Sequence, residues 1–184
     1  NLFNMKSIAF VFTLLCTTIL FAQPKPTTGA DRLKNEFIRK QLQKNSLVNH
    51  IPFRNIGPTV MSGRVVDIEV NEIDPTEFYV AYATGGLWHT TNNGQSFTSI
   101  FDSTDVIGIG DIAVNWKTRT IWVGTGEVNS SRSTYAGVGI YKSTNNGKHW
   151  TYVGLPESHH IGKIQLHPTD NNIAWVAAMG HLYS

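Results

Sequence analysis

The residues best suited to chemistry in this sequence lie in a few polar loops between apolar runs. Guanidinium, carboxylate, amide and imidazole groups are pooled there, and such groups form a site when they converge around one ligand. We predict a single ligand-binding face that carries Arg64, Glu127, Asn129, Arg132, His159, His160 and His181. Hydrolysis of a glycoside needs two carboxylates across a cleft, and Asp105 and Glu127 are the candidates for that role.

Each candidate also has a structural interpretation. Arg64 lies at the predicted start of a strand, where it could bond backbone carbonyls. Glu127 lies in G-T-G-E-V-N, where a lone glutamate commonly serves a turn or a salt bridge. His159 and His160 are adjacent, so on an extended chain they point to opposite sides, and only one could join His181 on a metal. Because no carboxylate pattern supports them, we expect no metal and no cofactor.

Two near-identical octets predict the elements that position these loops. Residues 90–97 read T-T-N-N-G-Q-S-F, and residues 143–150 read S-T-N-N-G-K-H-W. Asparagine and glycine tolerate positive φ, so each octet predicts a tight hairpin turn whose exit aromatic packs back on the sheet. The interval between them is close to the period of about 40–50 residues of a β-propeller blade. The turn residues are Asn92, Asn93, Gly94 and Phe97, and Asn145, Asn146, Gly147 and Trp150.

Alternating apolar runs complete the repeat and predict the fold class. The first strand of each blade should pack its apolar side chains inward, namely Ile68, Val70, Ile112, Val114, Ile164 and Leu166. The sequence therefore predicts an all-β fold, an incomplete β-propeller with four-stranded antiparallel blades. Blade one spans residues 63–100, blade two 110–153, and the start of blade three 163–184. Residues 53–57 resemble a fourth strand and are predicted to close the ring by completing its last blade, so we expect the chain to be a fragment of a longer polypeptide.

The segment before the propeller predicts export. Residues 1–22 are basic and then apolar, as in a secretory signal peptide cleaved near Ala22, which is too short for a membrane span. Residues 23–50 then form a linker and a short helix over 30–47. We interpret that helix as solvated and leaning on the propeller, the alternative being a docking or membrane-surface helix. The protein is thus expected to be secreted, periplasmic or on the cell surface.

Composition excludes several classes of function. The net charge of +2 gives no electrostatic case for nucleic acid. The single cysteine, Cys16, would leave with the signal peptide, so no disulfide and no thiolate site is expected. The G-x-S-x-G, H-E-x-x-H and phosphate-loop motifs are absent from the sequence.

The two octets resemble the Asp-box, or BNR repeat, with Asn92 and Asn145 in place of its aspartate. Residues 54–184 further resemble secreted propeller proteins with a sortilin-type, VPS10-like N-terminal domain, often labelled glycosyl-hydrolase-like. The resemblance is carried by F-R-N-I-G-P, S-G-R-V-V-D-I, G-G-L-W-H-T-T-N-N-G, G-I-G-D-I-A-V, V-G-T-G-E-V-N and H-H-I-G-K-I. It implies a large ring that binds peptides in its channel, with the Asp-box turns remote from the ligand.

The resemblance leaves two functions open. The first is a binding or scaffold module that takes a peptide or a glycan at its channel face. The alternative is a glycoside hydrolase, either sialidase-like or another BNR-repeat enzyme. Arg54 in F-R-N-I-G partly matches the F-R-I-P segment of sialidases, whereas Ala83 stands where xyloglucan-cleaving propellers carry an acid. The sequence does not specify an oligomeric state.

Overall fold

The structure is a computed structural model, and it describes residues 27–52, 61, 63–129 and 134–181. The predicted signal peptide (1–22), the predicted closing strand (53–57) and Arg132 lie outside these residues. The described part contains α1 (Gly29–Lys44), β1 (Val65–Val70), β2 (Phe78–Tyr82), β3 (Gly86–Thr90), β4 (Thr98–Ser99), β5 (Ile109–Asn115), β6 (Thr120–Thr125), β7 (Ile140–Ser143), β8 (Thr151–Gly154), a 3₁₀ turn (Pro156–Ser158), β9 (Ile161–Leu166) and β10 (Ala174–Ala178).

The strands form repeated antiparallel meanders. One sheet has the order β1-β2-β3-β4, a second has the order β5-β6-β7-β8, and β9 pairs with β10 in a third. A four-stranded meander whose strands follow one another in space is the unit of a propeller blade. The predicted fold class is therefore confirmed: the chain is all-β, with the blades of a propeller that is incomplete in the described residues.

Both octets form the predicted hairpin turns. Gly94 and Gly147 have φ values of 78° and 79°, and the preceding Asn93 and Asn146 also have positive φ. The hydroxyl of Thr90 accepts the N–H of Gly94 at 3.0 Å, and the hydroxyl of Ser143 accepts the N–H of Gly147 at 3.0 Å.

Asn92 and Asn145, the first asparagines of the two turns, add equivalent hydrogen bonds in both. The amide oxygen of Asn92 accepts the N–H of Ser96 at 3.0 Å, and that of Asn145 accepts the N–H of His149 at 2.9 Å. The exit aromatic Trp150 packs back on the protein, where its indole N–H donates to the Ile100 carbonyl at 2.7 Å. The repeated sequence thus fixes a repeated set of local bonds.

The apolar core lies between neighbouring blades. One cluster joins blades one and two and contains Tyr79, Leu87, Phe101, Ile109, Ile112, Ile121, Val123 and Tyr141. A second joins blade two to β9 and contains Ala113, Trp122, Ile140, Ile161 and Ile164. Side chains of β5 alternate between its two faces, and each face contributes to a different cluster. This strand therefore packs against both neighbouring blades.

The predicted inward packing holds for blades two and three and is wrong for blade one. Ile112 and Ile164 are buried, and Val114 and Leu166 are half-buried against the same clusters. By contrast, Ile68 and Val70 are 52% and 43% exposed. Ile112 faces the blade that precedes its own, as the two clusters show. By the same register Ile68 and Val70 face away from blade two, where the described residues place no neighbouring blade.

An aspartate in the first strand of each complete blade bonds to the next blade. The Asp67 carboxylate accepts the N–H of Ile112 at 3.3 Å, and the Asp111 carboxylate accepts the N–H of Ile164 at 2.7 Å. Asp111 also accepts a hydrogen bond from the Lys163 ammonium at 2.8 Å. These charge-assisted bonds fix the position of each first strand against its neighbour.

Helix α1 begins at Gly29, directly after a side-chain cap. Thr28 is the N-cap, and its hydroxyl accepts the N–H of Asp31 at 3.1 Å. The helix ends at Lys44, earlier than predicted, where the N–H of Asn45 returns to the Gln41 carbonyl at 3.0 Å. In the described part of the chain, no helix combines the length and apolar character that crossing a membrane requires.

Candidate functional site

The loops that carry most of the predicted site residues meet at one end of the sheets. The Ala83 N–H donates to the Arg64 carbonyl at 2.8 Å, and the Ile109 N–H donates to the Ala83 carbonyl at 3.2 Å. The Gly126 N–H donates to the Gly108 carbonyl at 3.0 Å. We call this end the loop face. The Asn-Asn-Gly turns lie at the opposite end, because β3 and β7 run from the loop face towards them.

Arg64 and Glu127 form an ion pair on the loop face. The guanidinium of Arg64 contacts the carboxylate of Glu127, and their side chains are 50% and 0% exposed. Of the described residues, no other group donates a hydrogen bond to this carboxylate. A buried carboxylate needs a partner charge, and here it holds the guanidinium of an arginine whose side chain is half exposed.

A strained loop carries His159 to the same face. His159 has φ 53° and ψ −47°, and Leu155 has φ 64°, both uncommon for residues with a Cβ. The His159 carbonyl accepts the Gly137 N–H at 2.6 Å. A Cβ at Gly126 would overlap that carbonyl, so glycine at this position permits the close approach of two loops.

The His159 ring lies in a cluster of cationic and ligating groups. Its centroid is 3.4 Å from that of His181, and its Nε2 is 3.7 Å from a carboxylate oxygen of Glu157. Nη2 of Arg32 is 3.2 Å from the same Nε2. Burial, together with the charge of Arg32 and the nearby His181, lowers the pKa values of His159 and His160. Both rings are therefore neutral at pH 7.

Helix α1 docks on the loop face through its first turn. The Gly29 N–H donates to Glu157 Oε1 at 2.8 Å, and a Cβ at Gly29 would overlap the Pro156 carbonyl. Arg32 donates to the carbonyls of Gly137 and Pro156. Phe37 and Leu42, further along the helix, are 62% and 68% exposed. The contact is thus made by polar and small residues rather than by the apolar side chains.

Asp105 is engaged by the helix and not by the other candidates. Its carboxylate is paired with Arg39 and lies 3.8 Å from the Lys40 ammonium. A cleft of about 280 Å³ lies between α1 and the loop that carries Asp105. The two carboxylates considered for catalysis, Asp105 and Glu127, are therefore neutralised by cations from different elements.

The structure brings the predicted residues together in two groups. Arg64 contacts Glu127, and His159 contacts His181, while His160 is buried beside them and Asn129 is exposed. The sequence reasoning missed Glu157 and Arg32. The spacing Glu157-x-His159 was a usable signal for Glu157. Nothing in the local sequence pattern of α1 distinguishes Arg32 from the other lysine and arginine residues of the helix.

No protein-family model and no curated protein matches this sequence. Among solved structures, the chain is similar to an ancestral GH74 enzyme, with 19% identity and a TM-score of 0.49 over 61% of this chain and 16% of that one. It is also similar to YCF48 bound to D1 peptide, with 16% identity and a TM-score of 0.29 over 54% of this chain and 46% of that one. The chain spans less than half of either protein, and such distant likenesses carry no argument about function.

Proposed function

We propose that this chain is part of a secreted, sortilin-like Asp-box propeller protein whose loop face binds a peptide or a glycan. The observation that carries the proposal is the Arg64–Glu127 pair. A fully buried carboxylate orients the guanidinium of an arginine whose side chain is half exposed at the loop face. An arginine held in this way presents its guanidinium N–H groups to carbonyl, carboxylate or hydroxyl oxygens, which both ligand classes offer.

The same geometry argues for binding rather than glycoside hydrolysis. A glycosidase needs one carboxyl to donate a proton and a second to act on the opposite side of the bond. Glu127 has no exposed surface, and Asp105 is paired with Arg39 and close to Lys40. Neither carboxylate faces open solvent as a free acid or base, so a binding role accounts for the described residues better.

The test is binding by the full-length protein to arrays of peptides and glycans, followed by affinity measurements on the strongest ligand. Arg64→Ala and Glu127→Gln should each weaken binding by about 10–150-fold, since loss of a charge-assisted hydrogen bond costs about 1.5–3 kcal/mol. Thermal melting of each variant reports whether the protein stays folded.

Arg119→Ala is the matched control. Arg119 pairs with Glu77 at 2.5 Å, with side chains 41% and 10% exposed, at the end of the sheets that carries the Asn-Asn-Gly turns. The control should leave affinity unchanged. Normal binding by both loop-face variants, or equal loss in the control, would remove the basis of the proposal. Hydrolysis of an array glycan that survives in Arg64→Ala but not in Glu127→Gln would favour the enzyme alternative instead.

A further inference from the structure

Three side chains on the loop face form a set of metal ligands. Glu157, His159 and His181 each bring one ligand atom to within 4.8 Å of the other two. Two imidazoles and a carboxylate are the protein ligands of one class of catalytic zinc site, which leaves a fourth position open. We propose that Glu157, His159 and His181 bind a divalent transition-metal ion of the zinc type, in competition with the guanidinium of Arg32.

His159 is the fixed member of the set. It is 4% exposed, and its backbone lies in a sparsely populated region with φ 53°. Such strain persists only where the surroundings impose it. Here the Gly137 N–H bonds its carbonyl at 2.6 Å, and Gly126 lies directly against it. The imidazole is thus held in place before any ion arrives, which reduces the cost of ordering a ligand.

Glu157 has one oxygen oriented and one available. Its Oε1 accepts the Gly29 N–H at 2.8 Å, while Oε2 lies 3.7 Å from Nε2 of His159. A bond from the protein to the outer oxygen of a ligating carboxylate is a common feature of metal sites, because it fixes the orientation of the group. The helix N-terminus therefore supports the proposed ligand.

The prediction of no metal rested on the apparent lack of a carboxylate beside the histidines. Glu157 supplies that carboxylate, two residues before His159 in sequence. His160 is not part of the set: its ring centroid is 6.5 Å from that of His159.

Arg32 occupies the cluster in the described structure. Its Nη2 lies 3.2 Å from Nε2 and 3.5 Å from Nδ1 of His159, and it also bonds the Pro156 carbonyl at 3.2 Å. A divalent ion beside His159 would be repelled by this charge, so Arg32 must withdraw when the ion binds. Because Arg32 also bonds the Gly137 and Pro156 carbonyls, metal binding should remove these contacts and loosen the helix beyond Gly29, whose N–H stays on Glu157.

The experiment is a zinc titration of the chelator-treated protein, with affinity measured by competition against a chromophoric chelator. Wild type should bind one ion. His159→Ala, His181→Ala and Glu157→Gln should each weaken binding by about tenfold or more, since loss of even an outer-shell partner costs about 10–100-fold. His149→Ala is the matched control, because His149 is exposed beside an Asn-Asn-Gly turn, and it should leave the affinity unchanged.

Arg32→Ala separates this proposal from adventitious binding to surface histidines. Removal of the competing charge should tighten zinc binding about tenfold, whereas a merely structural arginine would leave affinity unchanged or lower it.

Zinc should also speed tryptic cleavage within α1 of the wild-type protein. His181 and Glu157 are exposed, so their variants remain informative even if His159→Ala unfolds. Equal affinity in His181→Ala and His149→Ala, or weaker binding by Arg32→Ala, would overturn the site. The proposal is independent of the peptide or glycan ligand.

Discussion

The two Asn-Asn-Gly turns offer a matched pair of glycine substitutions. Gly94 and Gly147 have φ values of 78° and 79° and equivalent hydrogen bonds. Alanine in the left-handed region costs about 1–2 kcal/mol relative to glycine. This backbone cost should be the same for Gly94→Ala and Gly147→Ala, so any difference between the two variants reports the surroundings of the added methyl group.

Those surroundings differ. A Cβ at Gly94 would lie 3.5 Å from the Phe97 ring and 3.6 Å from the Phe78 ring, which is ordinary contact. A Cβ at Gly147 would lie 2.7 Å from Cδ1 and 3.2 Å from Cβ of Ile100, in the neighbouring blade. Overpacking of this kind costs about 1–3 kcal/mol. Gly147→Ala should therefore destabilise the protein by about 2–5 kcal/mol in total, against about 1–2 kcal/mol for Gly94→Ala.

Urea denaturation of the wild type and both variants measures the difference directly. Ile100→Val removes the closest atom, Cδ1, so adding it to Gly147→Ala should recover about 1 kcal/mol relative to the sum of the single changes. The same substitution added to Gly94→Ala should show no such coupling. Equal destabilisation by the two glycine variants, or strict additivity of Gly147→Ala with Ile100→Val, would refute the packing argument.

Two further predictions concern charges between the blades. Burial, aided by repulsion from Asp67, raises the pKa of Glu69 to about 7. The folded protein then holds this proton more tightly than the unfolded chain, so the stability present below about pH 4.5 falls as the pH rises through 7. At pH 8, Glu69→Gln should increase the free energy of unfolding by about 1 kcal/mol, after allowance for partial exposure, and so raise the melting temperature. At pH 4 it should leave the melting temperature unchanged. Asp111→Ala should destabilise the protein by about 2–3 kcal/mol in urea denaturation, because it leaves the buried Ile164 N–H unpaired. The bond from the Ile112 N–H to Asp67 is longer, so Asp67→Ala should cost less than about 1 kcal/mol. Equal losses in the two variants would contradict this.

The features that the sequence predicted well are those encoded locally. The hydroxyl, the asparagine amide oxygen and the backbone N–H groups that make the turn bonds all lie within the same octet, so the positive φ of Gly94 and Gly147 followed from the octets. Strand alternation placed Ile112 and Ile164 in the core. The burial of Ile68 was predicted wrongly because it depends on the blade beyond it, and no property of its own strand specifies that neighbour.

The candidate site was predicted only as a set of loops. Blade geometry sends Arg64 and Glu127 to the same end, but their direct pairing depends on side-chain positions from two different blades. The docking of α1 was harder still. It uses Gly29 and Arg32 rather than an apolar stripe, so the helical periodicity that revealed the helix carried no information on where it binds.

Direct contacts join the loops of the loop face to one another. The His159 carbonyl occupies space that a side chain at residue 126 would fill, and Gly126 directly precedes Glu127. The same histidine lies against Arg32, whose bonds hold α1 in place. One series of contacts thus runs from Arg32 through His159 and Gly126 to the backbone that presents Glu127 to Arg64. The proposed metal cluster and the proposed ligand-binding pair are therefore neighbours joined by packed backbone, and glycine at residue 126 is what allows the two loops to approach so closely.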